Sequence, residues 1–391
     1  MQRNQVSPEV VETLQAIEDA YDVIQAEMPD SERLRRPTPK LQDAVIETGV
    51  FKSLMPRRFG GAGASCTEHF QIIEKLSYAS SSLGWIARVI ASSTAFVACG
   101  LKDEVAQELF AGPKCALVVG EAGERYTTPA LRVEGGYQVT AEGQFIPGLS
   151  MADYVYLGVD VGGEQRILVI PRSALYLTDN WEMLGLRASG TLDWACQDLF
   201  VPDDYSFKVG DTSDREVSLA NSLPPATAAT LNQTAWSQGV GKRLLAELNR
   251  ITQHSRKDAA TNVTSAEFYA EYARHYSHTR GTGALAENLW EDVDAALDSG
   301  EQPDMELQTM VRLGASLATR TVLEICQLTH RFAGGHIMRE GTVQRLFRDG
   351  HAGTQHRGTA HFVTQACGEF LTGSRGENVR WGPDGLEQVE D

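Results

Sequence analysis

The chain reads as an α+β protein in three consecutive parts. These are an N-terminal α-helical domain over residues 1–112, a central β-domain over 113–208, and a C-terminal helical bundle over 209–391 ending in an acidic tail. Three observations predict this. Apolar residues recur at helical spacing as far as Phe110, the pattern switches at Gly112-Pro113 to alternation broken by turns, and long helical periods return after Pro224-Pro225. A length of 391 residues leaves room for two or three domains.

In the first part, Val10, Leu14, Ile17, Tyr21, Ile24 and Met28 form one helical stripe, and Pro37 and Pro39 end it. A helix follows through Leu41, Val45 and Ile46, then a glycine-closed turn at Gly60-Gly61. Thr67 opens the next helix, the apolar run from Leu83 to Cys99 forms another, and Asp103–Phe110 a last one. In the second part, residues 131–140 read as a hairpin around Gly135-Gly136. Further strands fall at Tyr154–Val159, Arg166–Ile170, Ala174–Leu177 and Leu192–Phe200. The third part has long periodic stretches over 226–254, 265–298 and 304–332, with shorter helices over 341–347 and 360–371. The segment Gly376–Asp391, with Pro383 and several acids, is expected to be loosely ordered.

Composition narrows the function. With 42% hydrophobic and 22% charged residues the chain is an ordinary globular protein. A net charge of −17 argues against nucleic acid or an anionic membrane as partner, since either needs a basic face. Six cysteines without a Cys-x-x-Cys fit buried thiols better than disulfides or zinc. The N-terminus shows no signal-peptide core, and the run from Leu83 to Cys99, with Arg88 inside it, is too short and polar to span a bilayer. The expected location is the cytoplasm. No Gly-x-Gly-x-x-Gly follows a strand, which argues against a nicotinamide site.

The densest chemistry lies near the C-terminus. Gly334-Gly335 is followed by Arg345-Leu346-Phe347-Arg348-Asp349, then His351, His356 and Arg357-Gly358-Thr359. This order resembles the C-terminal signature of the acyl-CoA dehydrogenase superfamily, which reads Gly-Gly, Arg-Leu-x-Arg-Asp and Glu-Gly-Thr. Many dehydrogenases use that Glu as the base that takes the α-proton of an acyl thioester. Here Arg357 stands in its place, and a guanidinium stays protonated. Loss of a general base costs on the order of 10²–10⁴ in rate. The resemblance therefore implies that the acyl-CoA dehydrogenase-like fold is kept, with a β-barrel-like central domain and a C-terminal four-helix bundle, and that the dehydrogenation is not.

The stretch Asp349–His356, rich in His and small residues, resembles a branch of that superfamily, the flavin-dependent monooxygenases of two-component systems. Several consequences follow from the resemblance. The cofactor is reduced FMN or FAD supplied by a separate flavin reductase, with O2 as co-substrate. The product is a hydroxylated aromatic or polyketide-like small molecule, or an oxidised nitrogen or sulfur centre. The assembly is a homo-oligomer, a tetramer built as a dimer of dimers. Two alternatives stay open: an acyl-CoA dehydrogenase or oxidase, and a non-catalytic flavin- or ligand-binding protein of the same fold.

The resemblance also nominates residues. His356 first and His351 second are the imidazoles for catalysis, because neutral imidazole suits proton holding near its ordinary pKa of about 6.5. Each is equally open to a purely structural role. Arg357 would bind an anionic group rather than act as a base. Phe145-Ile146-Pro147-Gly148 resembles the segment lying against the isoalloxazine ring, with Phe145 in the aromatic slot. Pro147 stands where a hydroxyl side chain usually reaches the flavin, and proline offers neither hydroxyl nor N–H; Ser150 is the candidate substitute. The plain alternative makes Phe145 β-domain core and Pro147 a loop breaker. Arg187, Ser189 and Thr191 lie in a second loop resembling the family's flavin-edge loop. Arg256 matches an arginine that reaches a neighbouring subunit's flavin, or is simply a cation at a helix C-terminus. Gly334 and Gly335 would allow close backbone approach. Trp85 is a pocket wall or a core aromatic, and Ser92 and Ser93 lie where relatives carry a His. His275 and His278 sit at helical spacing, but no carboxylate pair or cysteine completes a metal set, so they read as part of a solvated or packed face and no metal is expected.

Overall fold

The structure, a computed structural model, describes residues 6–112, 114–120, 128–208, 222–254, 263–376, 378–382 and 385–389. Arg256 lies outside the described residues. The N-terminal stripe forms two helices, α1 (Pro8–Asp19) and α2 (Tyr21–Leu34), joined at Ala20. Val10, Ile17, Ile24 and Met28 are buried as the periodicity requires. Past Pro37 the chain restarts with Thr38, whose hydroxyl accepts from the Leu41 N–H at 3.2 Å and caps α3 (Pro39–Glu47). Helices α4 (Cys66–Ala79), α5 (Ser81–Gly100) and α6 (Asp103–Phe110) follow. Contrary to the reading of the run from Leu83 to Cys99 as too short and polar, the full helix α5 has the length and apolarity to cross a membrane, but 78% of its most apolar window is buried inside the fold.

Among the described residues eight strands come next: β1 (Val118–Gly120), β2 (Thr128–Val133), β3 (Gly136–Ile146), β4 (Tyr154–Val161), β5 (Glu164–Pro171), β6 (Tyr176–Thr178), β7 (Leu192–Pro202) and β8 (Ser206–Lys208). They form one mixed sheet in the order β6-β7-β3-β2-β4-β5-β8, with β1 parallel to β4. The antiparallel pair β3 and β7 runs from Gly136↔Pro202 to Ile146↔Leu192, with register shifts after Val139 and Gly143. The second shift bends β3 at Phe145, where the candidate flavin loop begins.

The described chain divides into two compact units, each drawn from separate stretches. One comprises Met1–His69, Ile86–Glu182 and Arg187–Ser222; the other comprises Phe70–Trp85, Met183–Leu186 and Leu223–Asp391. The second unit is helical, with α7 (Pro225–His254), α8 (Ala266–Asp298), α9 (Met305–Phe332), α10 (Gly335–Met338), α11 (Thr342–Gly353) and α12 (His361–Leu371). Its core gathers Trp236, Leu244, Leu248, Phe268, Ile325 and Leu346.

Two expectations are corrected here. Helix α11 does not stop at Phe347 but continues through Gly350 and His351 to Gly353. The glycines are there for close packing, not for turns: a side chain at Gly350 would strike the Cys326 sulfur, and one at Gly353 the Trp236 ring. The tail is also more ordered than its composition suggests. Its described residues form an antiparallel hairpin of β9 (Val379–Gly382) and β10 (Gly385–Gln388). Trp381 fastens it, donating from Nε1 to Thr309 Oγ1 at 3.1 Å while the Arg312 guanidinium lies 4.3 Å from its ring centroid. A cation over an aromatic face and one hydrogen bond together contribute about 1–3 kcal/mol. Trp381→Ala is therefore expected to lower stability by that amount in urea denaturation and to open the tail to protease. A tail no more sensitive than in the parent would contradict this docking.

Candidate active site

In the helical unit the site is built on Asp349, a fully buried residue of α11. Its Oδ1 accepts from the Leu186 N–H at 2.6 Å, and its Oδ2 accepts from the Ser81 hydroxyl at the start of α5. The Ser81 carbonyl in turn accepts from Trp236 Nε1 on α7 at 2.9 Å. The Trp236 ring meets Trp85 edge to face with centroids 5.2 Å apart, and Trp85 meets His356 in the same manner at 6.0 Å. One carboxylate thus leads, through a hydroxyl and two indoles, to the orientation of one imidazole.

Arg348 completes the anchoring. Its Nη1 donates to the Leu184 carbonyl at 3.0 Å and its Nε to Gln344 at 3.0 Å. A side chain at Gly185 would collide with the Arg348 carbonyl, so only glycine fits there. The Arg-Asp pair of the sequence signature therefore pins the stretch Met183–Leu186, which leads directly into the Arg187 loop.

His356 precedes a single turn of 3-10 helix, Arg357–Thr359, and its Nδ1 accepts from the Gly358 N–H at 3.1 Å. A ring nitrogen that accepts carries no proton, so the neutral ring holds its proton on Nε2. His356 therefore presents a donor at Nε2 rather than a basic lone pair. His351, on the last turn of α11, packs edge-on against Phe347 at 4.6 Å, and His330 stacks on the same Phe347 at 5.9 Å. Burial first, and His330 second, push the His351 pKa below its ordinary value of 6.5, so the ring is neutral near pH 7. Arg357 is exposed with its guanidinium 5.6 Å from the Phe362 centroid. Gly334 holds φ 56, ψ −129, open to glycine alone, at the junction of α9 and α10, and Gly335 has open space around it. The Cys326 thiol is pushed up to about 12 by burial and by the Asp349 charge, which removes it as a nucleophile.

The other unit joins the two nominated loops. The Gly148 N–H donates to the Ser189 carbonyl at 2.9 Å, and the Ser150 N–H to Gly190 at 3.0 Å. Phe145 is not core: it is 58% exposed, with a left-handed φ of 58, and its ring meets Trp181 edge-on at 5.8 Å. Its N–H donates to Asp193 at 3.0 Å, which holds the bulge in place. A bulky residue kept in that strained region is a feature that concentrates at functional sites. Ile146 is buried and pairs with Leu192, while Pro147 is partly buried. The Ser189 and Thr191 hydroxyls are buried and bond each other at 2.7 Å, and Arg187 is exposed. Ser150 Oγ lies where a side chain on Gly190 would stand, so that hydroxyl faces the neighbouring loop. On α5, the Ser92 hydroxyl donates to its own helix at the Arg88 carbonyl at 2.9 Å, and Ser93 is buried. Sequence reasoning did not select Trp181 or Asp193; neither sits in a motif, and only the bulge brings them to Phe145.

Two family models match: residues 12–104 fit the acyl-CoA dehydrogenase N-terminal domain and residues 231–361 the acyl-CoA dehydrogenase C-terminal domain, together more than half of the chain. The chain belongs to the acyl-CoA dehydrogenase superfamily. It is 24% identical to the indole-3-acetate monooxygenase of Pseudomonas putida, over 90% of this chain and 91% of that one. It is also 24% identical to the oxygenase subunit of a flavin-dependent monooxygenase from Rhodococcus jostii, over 91% and 98%. The crystal structure of 3-HSA hydroxylase from Rhodococcus sp. RHA1 superposes with a TM-score of 0.82 at 20% identity, covering 93% and 96% of the two chains. The acyl-CoA dehydrogenase fold is thus shared along nearly the whole chain.

Two outcomes are expected. Hydrogen bonds to a charged group are worth about 1.5–3 kcal/mol each, and Asp349 makes two that leave buried donors behind when lost. Asp349→Ala is expected to cost about 3–5 kcal/mol in urea denaturation; a loss below ~1 kcal/mol would show that the anchor is dispensable. For His351, whose folded pKa is depressed, the unfolded chain binds more protons once pH drops below about 6.5, so stability falls with pH. The decline in melting temperature from about pH 7 to about pH 5 should become shallower in His351→Gln.

Proposed function

We propose that this chain is the oxygenase component of a two-component flavin-dependent monooxygenase. It takes reduced FMN or FAD from a separate reductase and uses O2 to hydroxylate an aromatic or polyketide-like small molecule, or to oxidise a nitrogen or sulfur centre. What carries this reading is the pair that follows α11. Arg357, which the motif resemblance puts in the place of a dehydrogenase's carboxylate base, is an exposed guanidinium, and beside it the His356 imidazole meets Trp85 edge to face with its donor nitrogen defined. That arrangement supports donating a hydrogen bond and not abstracting an α-proton. The names of the relatives point the same way, since they act as monooxygenases and hydroxylases.

Reduced flavin would supply the electrons and the activation of oxygen. The residues suit such a group: Phe145 and Trp181 offer aromatic surface to a flat ring, and the Phe145–Gly148 and Arg187–Thr191 loops are tied together beside them. Pro147 provides no polar contact, so donors to the ring must come from backbone N–H groups of these loops. Gly334 and Gly335 allow close backbone approach, and Arg357 suits a phosphate or phenolate. Trp85 in the helical unit, and Ser92 and Ser93 in the other, are each candidates for contact with substrate. His356 would donate from Nε2 to an oxygen, with neutral His351 as the second candidate. Tyr269, Tyr276 and Leu317 leave exposed apolar surface on α8 and α9 for sister subunits of a homotetramer. A cytoplasmic location agrees with the need for a reductase partner.

Stopped-flow absorbance tests the reading. Protein premixed anaerobically with reduced FMN or FAD, then mixed with oxygenated buffer, should reoxidise more slowly than free flavin and through a distinct absorbance transient. Reoxidation identical to that of free flavin, with no binding of reduced flavin, overturns it. His356→Ala should cut substrate oxidation by about 10²-fold or more while reduced-flavin affinity is kept.

A further inference from the structure

We infer that His275, His278 and Glu324 form a site for a divalent transition-metal ion of the zinc type, apart from the residues assigned to flavin and substrate. The sequence places the two histidines about one helical turn apart on α8, and α9 supplies the third ligand. The Glu324 Oε2 atom lies 3.9 Å from His275 Nδ1 and 4.0 Å from His278 Nδ1. One donor atom from each of the three residues falls within 4.8 Å of the others.

The second observation is a buried nitrogen. His275 is 3% exposed, and its Nδ1 has no hydrogen-bond partner. Its Nε2 lies 3.1 Å from Arg274 Nη2. A guanidinium only donates, so Nε2 is the acceptor and Nδ1 of the neutral ring holds the proton. That proton points where a carboxylate and a second imidazole converge, yet the carboxylate is too far away to accept it. Buried polar groups normally have partners, and this one gains its partner if an ion enters.

The geometry and chemistry agree with such an ion. Bonds of about 2.0–2.2 Å in a tetrahedral arrangement put donors about 3.3 Å apart, so the side chains must close by roughly 0.5–1.5 Å. His278 is half exposed and Glu324 is at the rim, which leaves an entry path and a position for water. Two imidazoles and one carboxylate, without thiolate, favour zinc, cobalt, nickel or copper over magnesium or calcium. Arg320 Nε, 3.3 Å from Glu324 Oε1, keeps the other oxygen turned toward the histidines. Metal on Nδ1 moves the ring proton to Nε2, and Glu271 Oε2, 3.7 Å away, is placed to accept it once half-exposed Arg274 swings out.

Calorimetric titration of the chelator-stripped full chain with Zn2+ tests this, with visible absorbance of Co2+ as the second probe. One ion per chain should bind, and Co2+ should give the bands of a tetrahedral nitrogen–oxygen site. His278→Ala and Glu324→Gln, folded by circular dichroism, should each weaken binding at least about tenfold. Arg274→Ala, which removes the donor competing for Nε2, should strengthen it. No saturable binding, full retention in both ligand variants, or weaker binding in Arg274→Ala each overturns the assignment.

Discussion

The helical unit's candidate site hangs on one buried carboxylate. Asp349 has no solvent exposure and spends both oxygens on donors from distant parts of the chain, Leu186 and Ser81. Such a group is costly to bury and more costly to leave unpaired, so its partners are held firmly. Ser81 then fixes Trp236, the indoles fix each other, and Trp85 faces His356. Arg348 adds the grip on Leu184. The Arg-Asp pair, which looks in the sequence like chemistry, works in the structure as scaffolding for its neighbours.

Much of the fold was legible because its signals are periodic. The stripe through Val10, Ile17 and Ile24, the alternation through β3, β4 and β5, and the long stretches of α7, α8 and α9 all follow from which faces are buried. The failures have a common cause. Gly350 and Gly353 look like turn residues, but they sit inside α11 because Cys326 and Trp236 leave no room for a Cβ. The tail looks unfoldable by composition, but Trp381 docks it on α9. Both depend on a partner far away in the chain, which local pattern cannot show.

The site was legible in part. Family motifs led to His356, His351 and the two loops, and backbone bonds do join those loops. Roles were less readable than positions. The Nε2 proton of His356 follows only from its bond to the Gly358 N–H, and the inward pairing of Ser189 with Thr191 only from their burial. Likewise, Phe145 reads equally well as core or contact until its strained, exposed bulge is seen. Glu324 gave no signal beside His275, since helices α8 and α9 bring together residues about fifty positions apart.

The two bonds of Asp349 span 163 and 268 residues of sequence. During synthesis on the ribosome, Ser81 emerges long before its partner exists. At roughly 5–20 residues per second, the serine waits about 13–54 seconds for the aspartate. Until then α5 begins without its anchor and the Leu186 N–H lacks the carboxylate that accepts from it. The anchoring of the helical unit's candidate site therefore forms late, and a polypeptide released before Asp349 is made carries Ser81 and Leu186 without the carboxylate that ties them together.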